Sequence, residues 1–209
     1  ATIDGENFSH YYNEAPYIAV KGEMLPIEDR IELMTPGEHH TETAIRAALN
    51  TADSFVGSTL KTPDYQGNPN TLLVTNGSVL MLLPGKEDIN QAKRQLKAKI
   101  NELQRQHPDK KVTMYECHSE APEKDMSRIE DELEANELRF VVATDIARRS
   151  ITIPDVAVVI DSLQKKRPHI DDRGVRHFDK LTISRAESIQ GRGRGGRTRP
   201  SIYMPVSFR

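Results

Sequence analysis

Residues Val79–Leu83 read VLMLL, and after Pro84-Gly85 comes KEDINQAKRQLKAKINELQRQ, in which Ile89, Leu96, Ile100 and Leu103 recur at helical spacing. An unbroken apolar run has no side that can face water, so a strand made from it must be covered on both faces. The amphipathic stretch behind it has a single apolar stripe and can supply one of those covers. The same alternation continues down the chain: KVTMY, then a helical stretch carrying Met126, Ile129 and Leu133, then RFVVAT, VAVVID and finally SIYM. The expected fold is therefore α/β, a mostly parallel sheet flanked by helices.

With 209 residues, 36% of them hydrophobic, 5% aromatic and no Trp, the chain has material for one aliphatic core. The single Cys117 cannot form an internal disulfide and is compatible with a reducing compartment. The longest apolar runs fall far short of the roughly 18 residues of a membrane span, and no signal pattern opens the chain, so a soluble, non-membrane protein is expected. Starting at Ala1 without a methionine, the sequence reads as a fragment. The net charge of −2 hides an asymmetry: Glu116 to Glu137 is acidic and Lys165 to Arg199 basic. The acidic run fits a solvated helix face, and the basic flank suits a partner that bears phosphates. Turn residues dominate Val56 to Gly77, which is expected to be a long loop. Asp172-Arg173-Gly174, flanked by RPHI and VRHF, predicts a β-hairpin.

The string SRAESIQGRGRGGRTRP, Ser184 to Pro200, has three readings: a dinucleotide fingerprint, an Arg-Gly box for RNA, or the arginine end of a nucleotide motor. Gly191 to Gly196 satisfies G-x-G-x-x-G, but a fingerprint needs a strand before it and an acid about 20 residues later, and no acid follows. Phosphate-loop candidates fail as well. VGSTLKT has Leu60 where the second glycine belongs, and LLPGKED has Glu87 where a Mg²⁺-binding hydroxyl is needed. Asp161 ends an apolar strand, as a metal-holding carboxylate would, yet without a phosphate loop it is better read as an ordinary strand end. Neither His39-His40 nor Cys117-His118 has ligand spacing, so no metal site is expected.

Four stretches together resemble the second RecA-like domain of superfamily 2 helicases, most closely the DEAH/RHA type. The opening ATIDGENFSHYYNEAPYIAVKGEMLPIEDR resembles the segment that leaves the first domain, entering at the end of motif III with Ala1-Thr2. GSVLMLLPGKEDI resembles motif IV, RFVVATDIARRSITIPDVAVVID motif V, and ISRAESIQGRGRGGRTRP motif VI. The resemblance implies a connector over residues 1–30 and a second RecA-like domain over 31–209, with a hairpin inserted between motifs V and VI.

It also implies roles. Arg194 and Arg197 match the two arginine fingers and Gln190 the glutamine near the nucleotide, with Gly193 keeping the backbone close to the cleft. Ser150 matches a residue near the ribose, and Asp155 is a substitute for the acid replaced here by Pro154. Thr144, Asp145, Gly85 and Lys86 face nucleic acid, as do Arg173 and Arg176 on the hairpin. ATP or another NTP, with Mg²⁺, would be held mainly by a first RecA-like domain of the same polypeptide. RNA is the expected partner, with DNA an alternative, and the expected setting is intracellular, in cytoplasm or nucleus.

Some positions depart from the pattern. Gly191 stands for the first arginine of motif VI and Arg192 for its small neighbour, while Arg148-Arg149 replaces Glu-Thr. SRAESIQ and RPSIYMPV also resemble helicases of positive-strand RNA viruses, which leaves a viral origin and a host-cytoplasmic setting open. A non-enzymatic RNA-binding module and an inactive RecA-like regulatory domain are the competing readings.

Overall fold

The computed structural model describes residues 5–18, 22–148 and 151–208. In chain order the elements are α1 (Gly5–Tyr11), β1 (Ile27–Asp29), β2 (Glu32–Leu33), α2 (His40–Val56), β3 (Lys61–Thr62), β4 (Leu72–Leu73), β5 (Gly77–Leu82) and α3 (Lys86–Gln106). They continue with β6 (Lys111–Cys117), α4 (Glu123–Glu130), β7 (Glu137–Ala143), a 3-10 turn (Asp145–Arg148), β8 (Val156–Asp161), β9 (Gln164–Ile170), β10 (Arg176–Thr182), α5 (Arg185–Arg192) and β11 (Ser201–Ser207).

The main sheet runs β1-β11-β8-β5-β7-β6, with β2 also on β11, and every pairing in it is parallel. β5, β7 and β8 are buried along their whole length, as continuous apolar runs require. Their side chains divide between two cores. Val79 and Met81 join α2 and α3 on one face, whereas Leu80 and Leu82 join Ile129, Ala147, Ile151 and Tyr203 on the other. β9 and β10 stand apart as a largely exposed antiparallel hairpin, Arg176 opposite Ile170 and Thr182 opposite Gln164.

The structure adds to and corrects the sequence expectations in four places. Residues 40–56, given no element there, form α2, whose buried side relies on Ala44, Ala47, Ala48 and Ala52 around Ile45 and Phe55. The stretch Val56 to Gly77 is not loop throughout: Val56 ends α2, Gly77 opens β5, and β3 pairs with β4 between them. The helix expected to reach Leu133 stops at Glu130. There the buried Arg139 guanidinium receives the carbonyls of Ile129, Asp131 and Glu132 at 3.3, 2.6 and 3.2 Å, doing from β7 what another helical turn would have done. β1 lies within the expected 1–30 connector, yet it is a strand of the sheet.

The Gly-Arg string follows α5 and precedes β11, the reverse of the strand-glycine-helix order of a dinucleotide fingerprint. Its glycines serve close packing. A Cβ on Gly195 would lie 2.2 Å from Ser201 Oγ, and one on Gly196, at φ +65°, would lie 2.6 Å from the Leu25 carbonyl oxygen. Leu25 N–H in turn donates to Gly196 O at 2.8 Å, so the string is a seat for the chain entering β1. Gly196→Ala is expected to destabilise the fold by about 2–3 kcal/mol, combining left-handed strain with a backbone clash. Thermal unfolding should register this as a drop of roughly 4–10 °C for a chain of this size; an unchanged Tm would contradict the packing role.

Candidate functional site

In a parallel sheet the loops at the carboxyl ends of neighbouring strands converge, which is where open α/β folds place ligands. Gly85 and Lys86 follow β5, and Thr144 and Asp145 follow β7, its neighbour. Leu83 N–H donates to Ala143 O at 2.8 Å and Thr144 N–H to Cys117 O at 3.1 Å, which pins the two strand exits side by side. The hairpin rises from the end of β8, on the other side of β5. Gly85, Lys86, Thr144 and Asp145 therefore share one edge of the sheet, and the hairpin that rises from it carries Arg173 and Arg176 at its far end.

The details there qualify the sequence reading. The space over Gly85 is occupied by Lys166, whose Cδ would sit 2.7 Å from an added Cβ, and Lys86 is exposed and paired with Glu120. Three lysines fasten the hairpin base: Lys165 to Glu187 of α5, Lys166 to Glu87, and Lys180 Nζ to Asp88 Oδ1 at 2.6 Å, both acids lying in the first turn of α3. At the tip the Asp171 carboxylate accepts from Arg173 N at 2.9 Å and Val175 N at 2.8 Å, which closes the turn around Gly174 at φ +78°. Arg176 lies over the exposed Phe178 ring, 5.2 Å from its centroid.

The residues assigned to nucleotide gather elsewhere, around α5 on the face that carries Ile151 and Tyr203. α5 begins with a capping box in which Ser184 N–H donates to Glu187 Oε2 at 2.8 Å and Glu187 N–H to Ser184 Oγ at 3.3 Å. Burial raises the Glu187 pKa, but the Lys165 ammonium and the Ser184 groups outweigh it and bring the value down to about 2. At the other end of α5, Gln190 is half-buried with its Oε1 accepting no hydrogen bond from a described residue. Gly193 ends the helix and its carbonyl accepts from Arg197 Nε at 3.0 Å, leaving Arg197 exposed.

Arg194 is turned inward, 6% exposed, and donates to the Ile151 carbonyl at 2.6 Å. Burial, then the charge of Arg197, lower its pKa. Arg192, in the position usually held by a small residue, makes a forked pair with Asp29 at 2.7 and 3.1 Å and donates to Ile27 O at 3.0 Å. Arg192 thus fastens α5 to β1. Asp155, at φ +46°, precedes β8 at the opposite end of the sheet, with the half-buried Arg199 as its charged neighbour. Asp161 is fully buried and its oxygens accept from Leu163 N at 2.9 Å and Tyr203 Oη at 3.0 Å, consistent with an ordinary strand end. Ser150, Arg149 and Ala1-Thr2 lie outside the described residues.

Residues 70–199, which hold motifs IV, V and VI in order on these adjacent elements, match the family described as the helicase conserved C-terminal domain. The chain belongs to this family. It is 31% identical over 206 residues to the ATP-dependent RNA helicase DHX30 of Rattus norvegicus and equally to that of Homo sapiens. The DHX30 of Gallus gallus is 26% identical over 205 residues. These alignments cover 94% of this chain but only 16% of each relative. Two structures of Escherichia coli HrpB, one described as a DExH-box NTPase and one as a DEAH/RHA helicase, superpose with TM-scores of 0.75 and 0.76 at 22% identity. They cover 99% of this chain and 22% and 23% of theirs. The fold is RecA-like, and the chain is a helicase conserved C-terminal domain.

Sequence reasoning missed Arg192–Asp29 and the inward course of Arg194, because neither partner shares a motif with its arginine. The Glu187 result gives a pH test. A carboxylate held near 2 in the fold against 4.5 in the open chain contributes fully above about pH 4.5 and progressively less as pH falls towards 2. Glu187→Gln should lower stability near neutrality by about 1–2 kcal/mol, the range of a lost cap. The gap in Tm between the two proteins should narrow as pH falls from 4.5 towards 2; a gap that widens would refute the assignment.

Proposed function

We propose that this chain is the second motor domain of an ATP-dependent RNA helicase, which supplies arginine fingers to the nucleotide and backbone contacts to RNA. The observation that carries the reading is the Arg194–Ile151 hydrogen bond, which joins motif VI directly to the motif V segment. Motif V passes the edge assigned to nucleic acid at Thr144-Asp145, so one residue can report the state of both ligands. In this reading nucleotide hydrolysis and RNA remodelling are coupled through that contact.

Arg197, exposed and steadied by the Gly193 carbonyl, is the finger that can reach across a cleft without rearrangement. Arg194 has to exchange the Ile151 carbonyl for a phosphoryl oxygen as the two domains close. A planar cation there neutralises charge building on the γ-phosphoryl group. The Gln190 Oε1, a buried acceptor with no described partner, fits a hydrogen-bond donor of the nucleotide. Mg²⁺ and the phosphate grip are assigned to the first RecA-like domain, because both phosphate-loop candidates of this chain depart from the pattern at Leu60 and Glu87.

In the intact protein Arg197→Ala is expected to lower RNA-stimulated ATP hydrolysis by roughly 10³-fold. RNA Kd should change by less than about threefold, because the finger acts on the transition state. Steady-state ATPase and RNA-binding titrations decide between this and the Arg-Gly-box reading, which requires lost RNA affinity with hydrolysis intact. The isolated chain should not turn over ATP.

The hairpin, fastened at its base and free at its tip, is assigned to strand separation. Deleting Asp172-Arg173-Gly174 with a two-residue closure should leave hydrolysis near the parental rate while duplex unwinding collapses. Unwinding at the parental rate in a strand-displacement assay would refute that role.

A further inference from the structure

Between the first turn of α2, the first turn of α3 and the base of the hairpin lies a cavity of about 310 Å³, lined among others by His40, Thr41, Asp88, Gln91, Gln164 and Lys180. That volume is about ten times the share of one liquid water, so it is not a single-water void. Asp88 is 3% exposed. Its Oδ1 accepts from Thr41 Oγ1 at 2.7 Å and Lys180 Nζ at 2.6 Å, whereas Oδ2 is buried and accepts nothing from any described residue. His40 Nδ1 is likewise buried with no hydrogen bond to any described residue. A carboxylate oxygen left unpaired out of water is costly, and the missing partner must be a hydrogen-bond donor.

The nearby groups narrow the donor. Lys180 holds the same carboxylate from the mouth and is 43% exposed along its side chain, so a cation stands at the entrance while the bare acceptor lies within. A group that presents a hydroxyl donor one sugar away from a phosphate matches this order, with phosphate at Lys180 and hydroxyl at Asp88. Glu42, also on the lining, turns its carboxylate back to accept from His39 N at 2.9 Å. The cavity lies between the first turn of α3 and the hairpin base, at the end of the sheet assigned above to nucleic acid. We infer that this cavity receives a ribose of the bound RNA, with its 2′-hydroxyl donating to Asp88 Oδ2, and that it makes the domain prefer RNA over DNA. The inference rests on the helicase reading and adds to it a site that selects the sugar. The 2′-hydroxyl, the group that separates RNA from DNA, is both donor and acceptor, and Asp88 requires the donor.

The test uses the intact protein and single-stranded RNA of fixed sequence in which one nucleotide at a time is made 2′-deoxy or 2′-fluoro. One position in the bound stretch is expected to lose about 10-fold in affinity, the effect of one hydrogen bond to a carboxylate. The 2′-fluoro substitution, which cannot donate, should cost as much as the 2′-deoxy. In Asp88→Asn, whose amide nitrogen can only donate where Oδ2 accepted, the bond to a carboxylate is lost, so the penalty at that position should shrink and the RNA-to-DNA affinity ratio should fall with it. Losses spread evenly along the strand, no loss at any position, or a loss that follows base identity would overturn the inference and leave the helicase reading intact. Failure of any RNA to bind the intact protein would sink both. The scan on the unsubstituted protein decides the matter even if Asp88→Asn fails to fold.

Discussion

Burial of β5, β7 and β8 on both faces is the constraint from which the rest of this domain follows. A parallel sheet with no wet face leaves polar side chains nowhere to go except its two edges and the loops beyond them. The sites obey that rule. Groups assigned to nucleic acid stand where β5, β7 and β8 end, and groups assigned to nucleotide, Asp155 before β8 apart, lie along α5 and the loop that returns to β11. Arg139 and Glu137, the charged exceptions within β7, pair with each other at 3.3 Å, and the arginine also closes the end of α4. A buried charge is retained here because it finishes another element's hydrogen bonding.

The strands that form the middle of the sheet were readable because each is an unbroken apolar run, and α3 because large aliphatic side chains mark its stripe. α2 escaped notice for a physical reason: it packs so close to the sheet that alanines fill its inner side, and small residues leave little periodic signal. β1 and β2 are three and two residues long and exist only because β11 offers them a partner. The hairpin announced itself through Asp172-Arg173-Gly174, whereas the docking of its lysines onto α3 and α5 joins residues up to 92 positions apart and has no local signature.

For the site, motif spacing located the residues without their orientation. Gln190, Arg194 and Arg197 do gather at one end of α5, but the sequence gives no sign that Arg194 turns inward while Arg197 faces solvent. Gly85 is empty of side chain for Lys166, a residue of the hairpin between motifs V and VI. Asp88 was passed over because a lone acid in the first turn of a helix ordinarily serves the helix dipole. Only the three-dimensional neighbourhood shows one of its oxygens idle beside a cavity.

The fastening of β1 also has a mechanical meaning. β1 lies parallel to β11, so tension arriving through the segment before Ile27 and directed along the strand loads its ladder of hydrogen bonds together, in shear, instead of peeling them one by one. The Arg192–Asp29 fork and the Leu25–Gly196 bond sit at the same junction and share that load. A displacement of the incoming segment is therefore delivered to the loop that holds Arg194 and Arg197 before it can be absorbed by local slack. The domain takes up strain at a stiff joint, and the arginines are mounted on that joint.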